Sequence, residues 1–204
     1  MRNRHIKDIN TDFFDPCFNY LVENGFENTS IRDLCGELGL SPGSIYYLFE
    51  DKNEVFINVV RYGTGKVADR LFEFAFTTME NPEVFFETFI DEVDKYKKEF
   101  RLIFQFAASP TYGDHIRDKS EGFKFVYERY IIRLSEILGA PYTEIMPIIY
   151  MIISVLSDYV LWEDYDVSKM QMDYLYQIIK TKFLDKKVSE ATEEETDLPS
   201  IEVE

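Results

Sequence analysis

The sequence predicts an all-α protein, and three observations support this. Only nine of the 204 residues are glycine, and the long alternation of apolar and polar residues that strands require is scarce. Helix-start motifs recur along the chain, among them Ser30-x-x-Asp33 and Asp51-x-x-Glu54. Apolar side chains make up 46% of the residues, which is enough for a sizeable buried core.

The first four predicted helices are short or have clear starts. They cover residues 8–24, 31–38 and 42–49, followed by a longer helix from Asp51 towards Phe76. Pro16 lies inside the first segment, so either Asp15-Pro16 begins that helix or an earlier turn is kinked there.

Turn residues divide the remainder of the chain into five further helices. These are predicted near residues 82–98, 99–108, 120–138, 143–163 and 167–184. The most apolar window, Ile145–Trp162, is nearly long enough to span a membrane. It contains Pro147 and Asp158, and we interpret it as a helix buried on several sides, so no membrane partner is expected.

Charge and composition narrow the functional classes. The net charge of −16 argues against a protein that coats nucleic acid non-specifically or lies on an anionic membrane. Residues 188–204 are rich in glutamate and predict a disordered acidic tail. Two cysteines, Cys17 and Cys35, fit buried thiols in a reducing cytoplasm, and the isolated His5 and His115 give no support for a metal site. No cofactor is expected.

The most informative stretch runs from Gly25 to Phe56. It predicts a helix, a tight turn at Gly39, and a short helix that begins with Ser41 as its cap and Pro42 as its first residue. Ile45 and Phe49, four residues apart, would form the buried face of the short helix. The small residues of its first turn would allow close approach to a base edge or a phosphate.

These residues resemble the TetR (tetracycline-repressor) family of bacterial transcription regulators. The resemblance extends from residue 13 to residue 60 and is carried by Thr29-Ser30-Ile31, Leu38-Gly39-Leu40-Ser41, Gly43-Ser44-Ile45-Tyr46-Tyr47 and Asp51-Lys52-x-Glu54. It implies an N-terminal three-helix helix-turn-helix domain in residues 1–50. It also implies a C-terminal helical domain for ligand binding and dimerisation in residues 51–187.

The resemblance further implies which residues contact double-stranded DNA at a pseudo-palindromic operator. Ser44 and Gly43 would lie nearest the bases, and a basic arm of Arg2, Arg4 and Lys7 would reach the backbone. The matched DNA-contact candidates are Thr29, Ser30, Pro42, Gly43, Ser44, Tyr46, Tyr47 and Lys52. Residues 1–62 nevertheless carry a net charge of −4, which predicts modest and strongly salt-sensitive affinity.

The C-terminal domain offers two sets of candidates. Aromatic side chains at helical spacing either form ordinary core or line an apolar pocket for a small hydrophobic or aromatic effector. The pocket candidates are Phe72, Phe76, Phe86, Phe89, Phe104, Tyr127 and Tyr130. Two apolar stripes on the 143–163 helix, with the last helix, predict a homodimer interface. Its candidates are Ile148, Met151, Ile152, Val155, Tyr159, Tyr174 and Ile178.

Three functional classes are compared. We expect a cytoplasmic, ligand-responsive, dimeric repressor that its effector releases from DNA. An enzyme is not favoured, because the sequence shows no nucleophile–base pair and no glycine-rich phosphate loop. The alternative is an adaptor that keeps the helix-turn-helix shape without strong DNA binding, which the acidic N-terminal domain leaves open.

Overall fold

Helices account for all regular secondary structure in the part of the chain that the computed structural model describes. It describes residues 11–114 and 121–185, with the backbone alone for Thr11 and residues 121–126. The expected basic arm, the acidic tail and both histidines lie outside the described residues. The helices are α1 (Thr11–Asn24), α2 (Ile31–Leu38), α3 (Pro42–Leu48), α4 (Lys52–Thr78), α5 (Pro82–Asp94), α6 (Lys97–Ala108), α7 (Glu121–Leu138), α8 (Tyr142–Trp162) and α9 (Tyr165–Ile179). A π-helical turn, Lys180–Leu184, follows α9.

The predicted all-α fold is confirmed, and most predicted helix ends lie within a few residues of the observed ones. Pro16 lies inside α1, which already includes Thr11, so the alternative in which Pro16 begins the helix is wrong. The break after α5 falls at Lys95 and Tyr96 rather than after residue 98. There the amides of Lys95 and Tyr96 each donate to a carbonyl three residues back, which ends the helix.

The chain divides into two compact units. The first takes its described residues from Met1–Phe74 and Glu92–Val126, and the second from Ala75–Asp91 and Tyr127–Glu204. The predicted domain boundary at residue 50 stays a prediction.

In the first unit, α1 packs against α2 and α6, and α2 packs against α3. Aromatic rings fill much of this core. The Phe106 and Tyr112 rings stack with centroids 4.5 Å apart, and the Phe26 ring meets the Phe106 ring edge-on at 5.1 Å. Asp15 of α1 forms an ion pair with Lys66 of α4 at 2.6 Å. These contacts hold together the helices of the first unit, against which α3 packs through α2.

In the second unit, α8 packs against α9. Eight residues of α8 are buried, among them Ile145, Ile149 and Leu156. Among the described residues, α8 is the one helix that is long and apolar enough to cross a membrane, and 44% of its apolar stretch is buried within the protein. Core helices of globular proteins pass the same test, and its buried face fits that interpretation.

Candidate nucleic-acid interface

The short helix α3 is held by one face and exposed on the other. Ile45 is completely buried, and the Phe49 ring that follows the helix stacks on the Phe13 ring of α1 at 5.6 Å. The opposite face, with Gly43, Ser44, Tyr46 and Tyr47, is exposed. The predicted orientation of the helix is therefore confirmed, because the side chains predicted to face inward are the buried ones.

Two serines fix the first turn of α3. The backbone amide of Ser44 donates to the Ser41 hydroxyl oxygen at 3.3 Å, so Ser41 caps the helix as its sequence position predicts. The two hydroxyl oxygens are also 3.0 Å apart, in a hydrogen bond. In either direction of this bond the pair keeps one O–H and at least one lone pair for an outside partner, so together the two serines can both donate to and accept from a base edge.

The turn between α2 and α3 depends on Gly39, whose φ is +63°. Only glycine adopts this left-handed conformation at little cost, and it lets the amide of Leu40 donate to the Cys35 carbonyl at 2.9 Å. A helix, a turn of this kind and a second short helix with one exposed face make up a helix-turn-helix arrangement.

The start of α2 carries a reciprocal cap. The amide and the hydroxyl of Ser30 donate to one carboxylate oxygen of Asp33 at 2.7 and 2.6 Å, and the amide of Asp33 donates to the Ser30 hydroxyl at 3.3 Å. The bond from the Ser30 hydroxyl is the main reason why the pKa of Asp33 lies below its usual range, and the Lys52 ammonium adds a smaller contribution. Asp33 is thus ionised at neutral pH and occupies both donors of Ser30.

Thr29 differs from the other DNA-contact candidates. Its side chain is only 2% exposed, and its hydroxyl donates to the Gly25 carbonyl at 2.6 Å. It closes the loop between α1 and α2 from inside, and its side chain has no open path to a ligand on the surface.

Lys52 begins α4 beside α3. Its ammonium lies 4.9 Å from the centre of the Phe56 ring, and no carboxylate of the described residues is within ion-pair distance. The neighbouring carboxylates are used in the helix start: Asp51 accepts from the Glu54 amide at 2.9 Å, and Glu54 accepts from the Glu50 amide at 2.6 Å. Lys52 is therefore available to a phosphate.

Sequence reasoning missed Arg32. It lies at the second position of α2, is exposed, and has no ion-pair partner among the described residues. The sequence signal was a basic residue on the face of α2 opposite to the buried residues Ile31, Leu34 and Cys35. Arginine is well suited to phosphate and to guanine.

The seven pocket candidates are distributed over both units. Phe86 and Phe89 are buried, and Phe72, Phe104, Tyr127 and Tyr130 are half-buried. Phe76 is exposed beneath the Arg133 guanidinium, which lies 4.8 Å from its ring centre. The Tyr127 ring meets the Tyr150 ring at 5.9 Å, and burial, with a smaller contribution from Tyr150, raises the pKa of Tyr127.

Two open cavities of about 370 and 460 Å³ are lined entirely by described residues. They lie beside Glu23 and Lys98 and beside Phe26 and Ser109, and neither includes a pocket candidate. Within the described ranges, no cluster of three or more His, Cys, Asp or Glu side chains is arranged to hold a metal ion.

The dimer candidates of the second unit are partly buried and partly exposed. Four of them, Ile148, Ile152, Val155 and Tyr159, are buried within one chain. Ile178 is half-buried, whereas Met151 and Tyr174 are exposed. Trp162 and Met170, which belong to the predicted apolar stripes of these helices, are exposed as well. Further large apolar side chains that the sequence interpretation did not select are exposed on the same two helices: Tyr142, Met146, Tyr150, Leu161, Tyr165 and Val167.

Comparison with known proteins adds to this geometry. Residues 18–59 match the sequence family described as bacterial regulatory proteins, tetR family, a segment that contains α2, α3 and the start of α4. No curated protein sequence matches the chain.

Solved structures share the fold. A transcriptional regulator from Rhodococcus sp. Rha1 is 17% identical with a TM-score of 0.60, and the alignment covers 84% of this chain and 96% of that one. A regulator from Aquifex aeolicus VF5, of the "TerR/AcrR family", is 19% identical with a TM-score of 0.56, covering 84% and 98%. The TetR family transcriptional regulator PfmR from Thermus thermophilus is 19% identical with a TM-score of 0.54, covering 81% and 97%.

Proposed function

We propose that the chain is a cytoplasmic, dimeric repressor that a small effector releases from its operator, because residues 18–59 match the family of bacterial regulatory proteins described as tetR. The observation that carries the proposal is the exposed face of α3. Tyr46 and Tyr47 are each 47% exposed around a completely buried Ile45. The core therefore fixes the direction in which α3 presents its polar groups.

Each exposed group has a role in this proposal. α3 enters the major groove, where Gly43 and the Ser41–Ser44 hydroxyl pair meet base edges. Tyr46, Tyr47 and Lys52 bind phosphates on either side of the groove, and Arg32 joins them from α2. Pro42 sets the start of the helix, and Ser30 and Thr29 position α2 rather than contact bases.

A second copy of the chain is the partner that the exposed face of α8 and α9 fits. Met170 and Tyr174 are each 70% exposed and Trp162 is 75% exposed, which is unusual for large apolar side chains unless they are covered by a partner. Two helices from each protomer would form a four-helix interface. A two-fold dimer presents two α3 helices, which fits a pseudo-palindromic site with half-site centres roughly 34 Å apart.

The dimer is tested by placing charge on this face. We expect Met170→Glu to convert the dimer into a folded monomer in sedimentation at micromolar concentration. Ile152→Glu, at a buried position of α8, should instead unfold the chain. A well-behaved monomer for the unmodified chain would show that the interface is wrong.

The effector is proposed to be a small hydrophobic or aromatic molecule, because both units are rich in aromatic side chains. Effector release should appear as loss of DNA binding when the molecule is added, with the protein remaining folded. The proposal includes no catalytic step.

Selection from random DNA tests the DNA-binding role. We expect the unmodified protein to enrich a two-fold symmetric motif at low salt. Lys52→Ala should weaken binding to all sequences alike, whereas Ser44→Ala should change the preferred half-site. Lys98→Ala is the matched control, because it removes the same charge from a lysine that pairs with Glu23. If no symmetric motif is enriched, the adaptor interpretation replaces the repressor.

A further inference from the structure

Asp33 places a negative charge beside the cations that are available to DNA. Residues 11–62 carry three basic and nine acidic side chains, and Arg32, Lys52 and Arg61 are the basic ones. Asp33 follows Arg32 directly in α2 and is exposed, and its pKa is lowered mainly by the Ser30 hydroxyl and to a smaller extent by the Lys52 ammonium. The two cations best placed for phosphate therefore share their surface with this carboxylate.

The same carboxylate also uses donors that would otherwise be offered to phosphate. The first helix of a helix-turn-helix crosses the DNA backbone, so the groups that begin α2 approach phosphates. Here the amide and hydroxyl of Ser30 both donate to Asp33, at 2.7 and 2.6 Å. A phosphate at this position meets a carboxylate of its own charge and finds both Ser30 donors occupied.

We propose that the Asp33 carboxylate repels DNA phosphates and so weakens binding to DNA of every sequence by the same factor, while α3 determines the sequence preference. We call this effect the electrostatic brake. This inference rests on the proposed DNA-binding function and adds the control of affinity at the same surface. A uniform reduction keeps the repressor from being held by non-operator DNA and makes its operator complex easier to dissociate. Because repulsion between exposed charges is screened by salt, the brake is strongest at low ionic strength.

The test neutralises the carboxylate without removing the cap. Asp33→Asn keeps an oxygen that accepts from the Ser30 amide, and the pair Asp33→Glu and Asp33→Gln compares a charged with a neutral side chain of the same shape, both typical of capping boxes. Asp173→Asn, at an exposed position of α9, is the control for net charge. Binding is measured by fluorescence anisotropy with a labelled duplex of scrambled sequence and one carrying the selected motif, and circular dichroism checks folding.

We expect Asp33→Asn and Asp33→Gln to tighten binding to both duplexes by the same factor, roughly threefold to tenfold for a dimer at about 50 mM salt. Asp33→Glu and Asp173→Asn should bind like the unmodified protein, and the difference should shrink at about 300 mM salt.

Three results would overturn the brake: neutral variants that bind like the unmodified protein, tightening by Asp33→Glu as well, or a changed preference between the two duplexes. If Asp33→Asn is poorly folded, the Glu and Gln pair decides the matter. If the unmodified protein and all variants fail to bind either duplex at low salt, the proposed function itself fails. Binding by the unmodified protein without a gain on neutralisation contradicts only the role of Asp33.

Discussion

Two glycines in α4 make opposite predictions about stability. Gly63 and Gly65 are two residues apart in one helix, and alanine has the higher helix propensity at both, by about 0.8–1 kcal/mol. A Cβ at Gly63 would lie 2.1 Å from two carbons of the Phe18 ring and 2.4 Å from a third. A Cβ at Gly65 would have no atom within 4 Å. Helix propensity and packing therefore oppose each other at Gly63 and do not at Gly65.

The magnitudes decide the sign at Gly63. Overpacking a filled core costs about 1–3 kcal/mol, and a contact this short on a buried ring belongs at the upper end of that range. After subtracting the gain in helix propensity, Gly63→Ala should lower the free energy of unfolding by about 2 kcal/mol. For a chain of this length that corresponds to a Tm lower by about 4–8 °C. Gly65→Ala should raise Tm by about 1–4 °C.

Thermal unfolding followed by circular dichroism, with urea midpoints as a second measure, checks both variants. Phe18→Leu removes the ring and tests the cause. It should destabilise the unmodified protein as a core truncation but cost much less, or nothing, in the Gly63→Ala background. If Gly63→Ala is as stable as the unmodified chain, the close packing of α4 on α1 described above is refuted.

Three further predictions concern the first unit. The pKa of Asp15 is lowered, mainly because Lys66 donates a hydrogen bond to it, so the pair stabilises the fold above the unfolded pKa of about 3.9. Lys66→Met should lower the free energy of unfolding by about 0.5–1 kcal/mol at pH 7. A difference in stability between the variant and the unmodified protein that persists as the pH falls through the folded pKa would contradict this. Burial, with smaller contributions from Cys35 and Glu37, raises the pKa of Cys17 to about 12, so a thiol reagent at pH 8 should modify Cys17 only when urea unfolds the chain. Ile45→Ala should destabilise by about 2–5 kcal/mol, whereas Tyr46→Ala should change stability by less than about 0.5 kcal/mol and weaken DNA binding, as melts and anisotropy on the same samples would show.

Local signals made the N-terminal helices predictable. The cap at Ser30, the turn at Gly39 and the start at Ser41-Pro42 each lie within one helical turn of the boundary that they determine. Propensity and hydrogen bonding agree at these positions, so sequence alone located α2 to the residue. The break at Lys95 and Tyr96 carries neither glycine nor proline, so no local signal marks the end of α5.

The exposed face of α8 was not predictable from periodicity. The helix has apolar residues on nearly every side, so several stripes fit an interface equally well. The structure buries four of the five isoleucines and both valines of α8. It exposes Tyr142, Met146 and Tyr150, whose rings and sulfur tolerate water better than branched aliphatic side chains do. Thr29 shows the same limit: its spacing fits a surface group, but tertiary packing encloses it.

The small number of basic side chains in the first unit limits how many DNA phosphates it can neutralise. Lys66 and Lys98 are paired with Asp15 and Glu23, and the lysines that flank the start of α6 are also paired. Residues 11–62 can therefore neutralise at most three phosphates per protomer, which corresponds to a log–log salt slope of about −5 for a dimer. A slope of about −5 already means a roughly thousandfold loss of affinity between about 50 and 200 mM salt, so these three cations are enough for the strong salt sensitivity that the net charge predicts. Modest affinity stays a prediction. Recognition by residues 11–62 must then depend mainly on neutral donors, the hydroxyls of Ser41, Ser44, Tyr46 and Tyr47, whose hydrogen bonds salt does not screen.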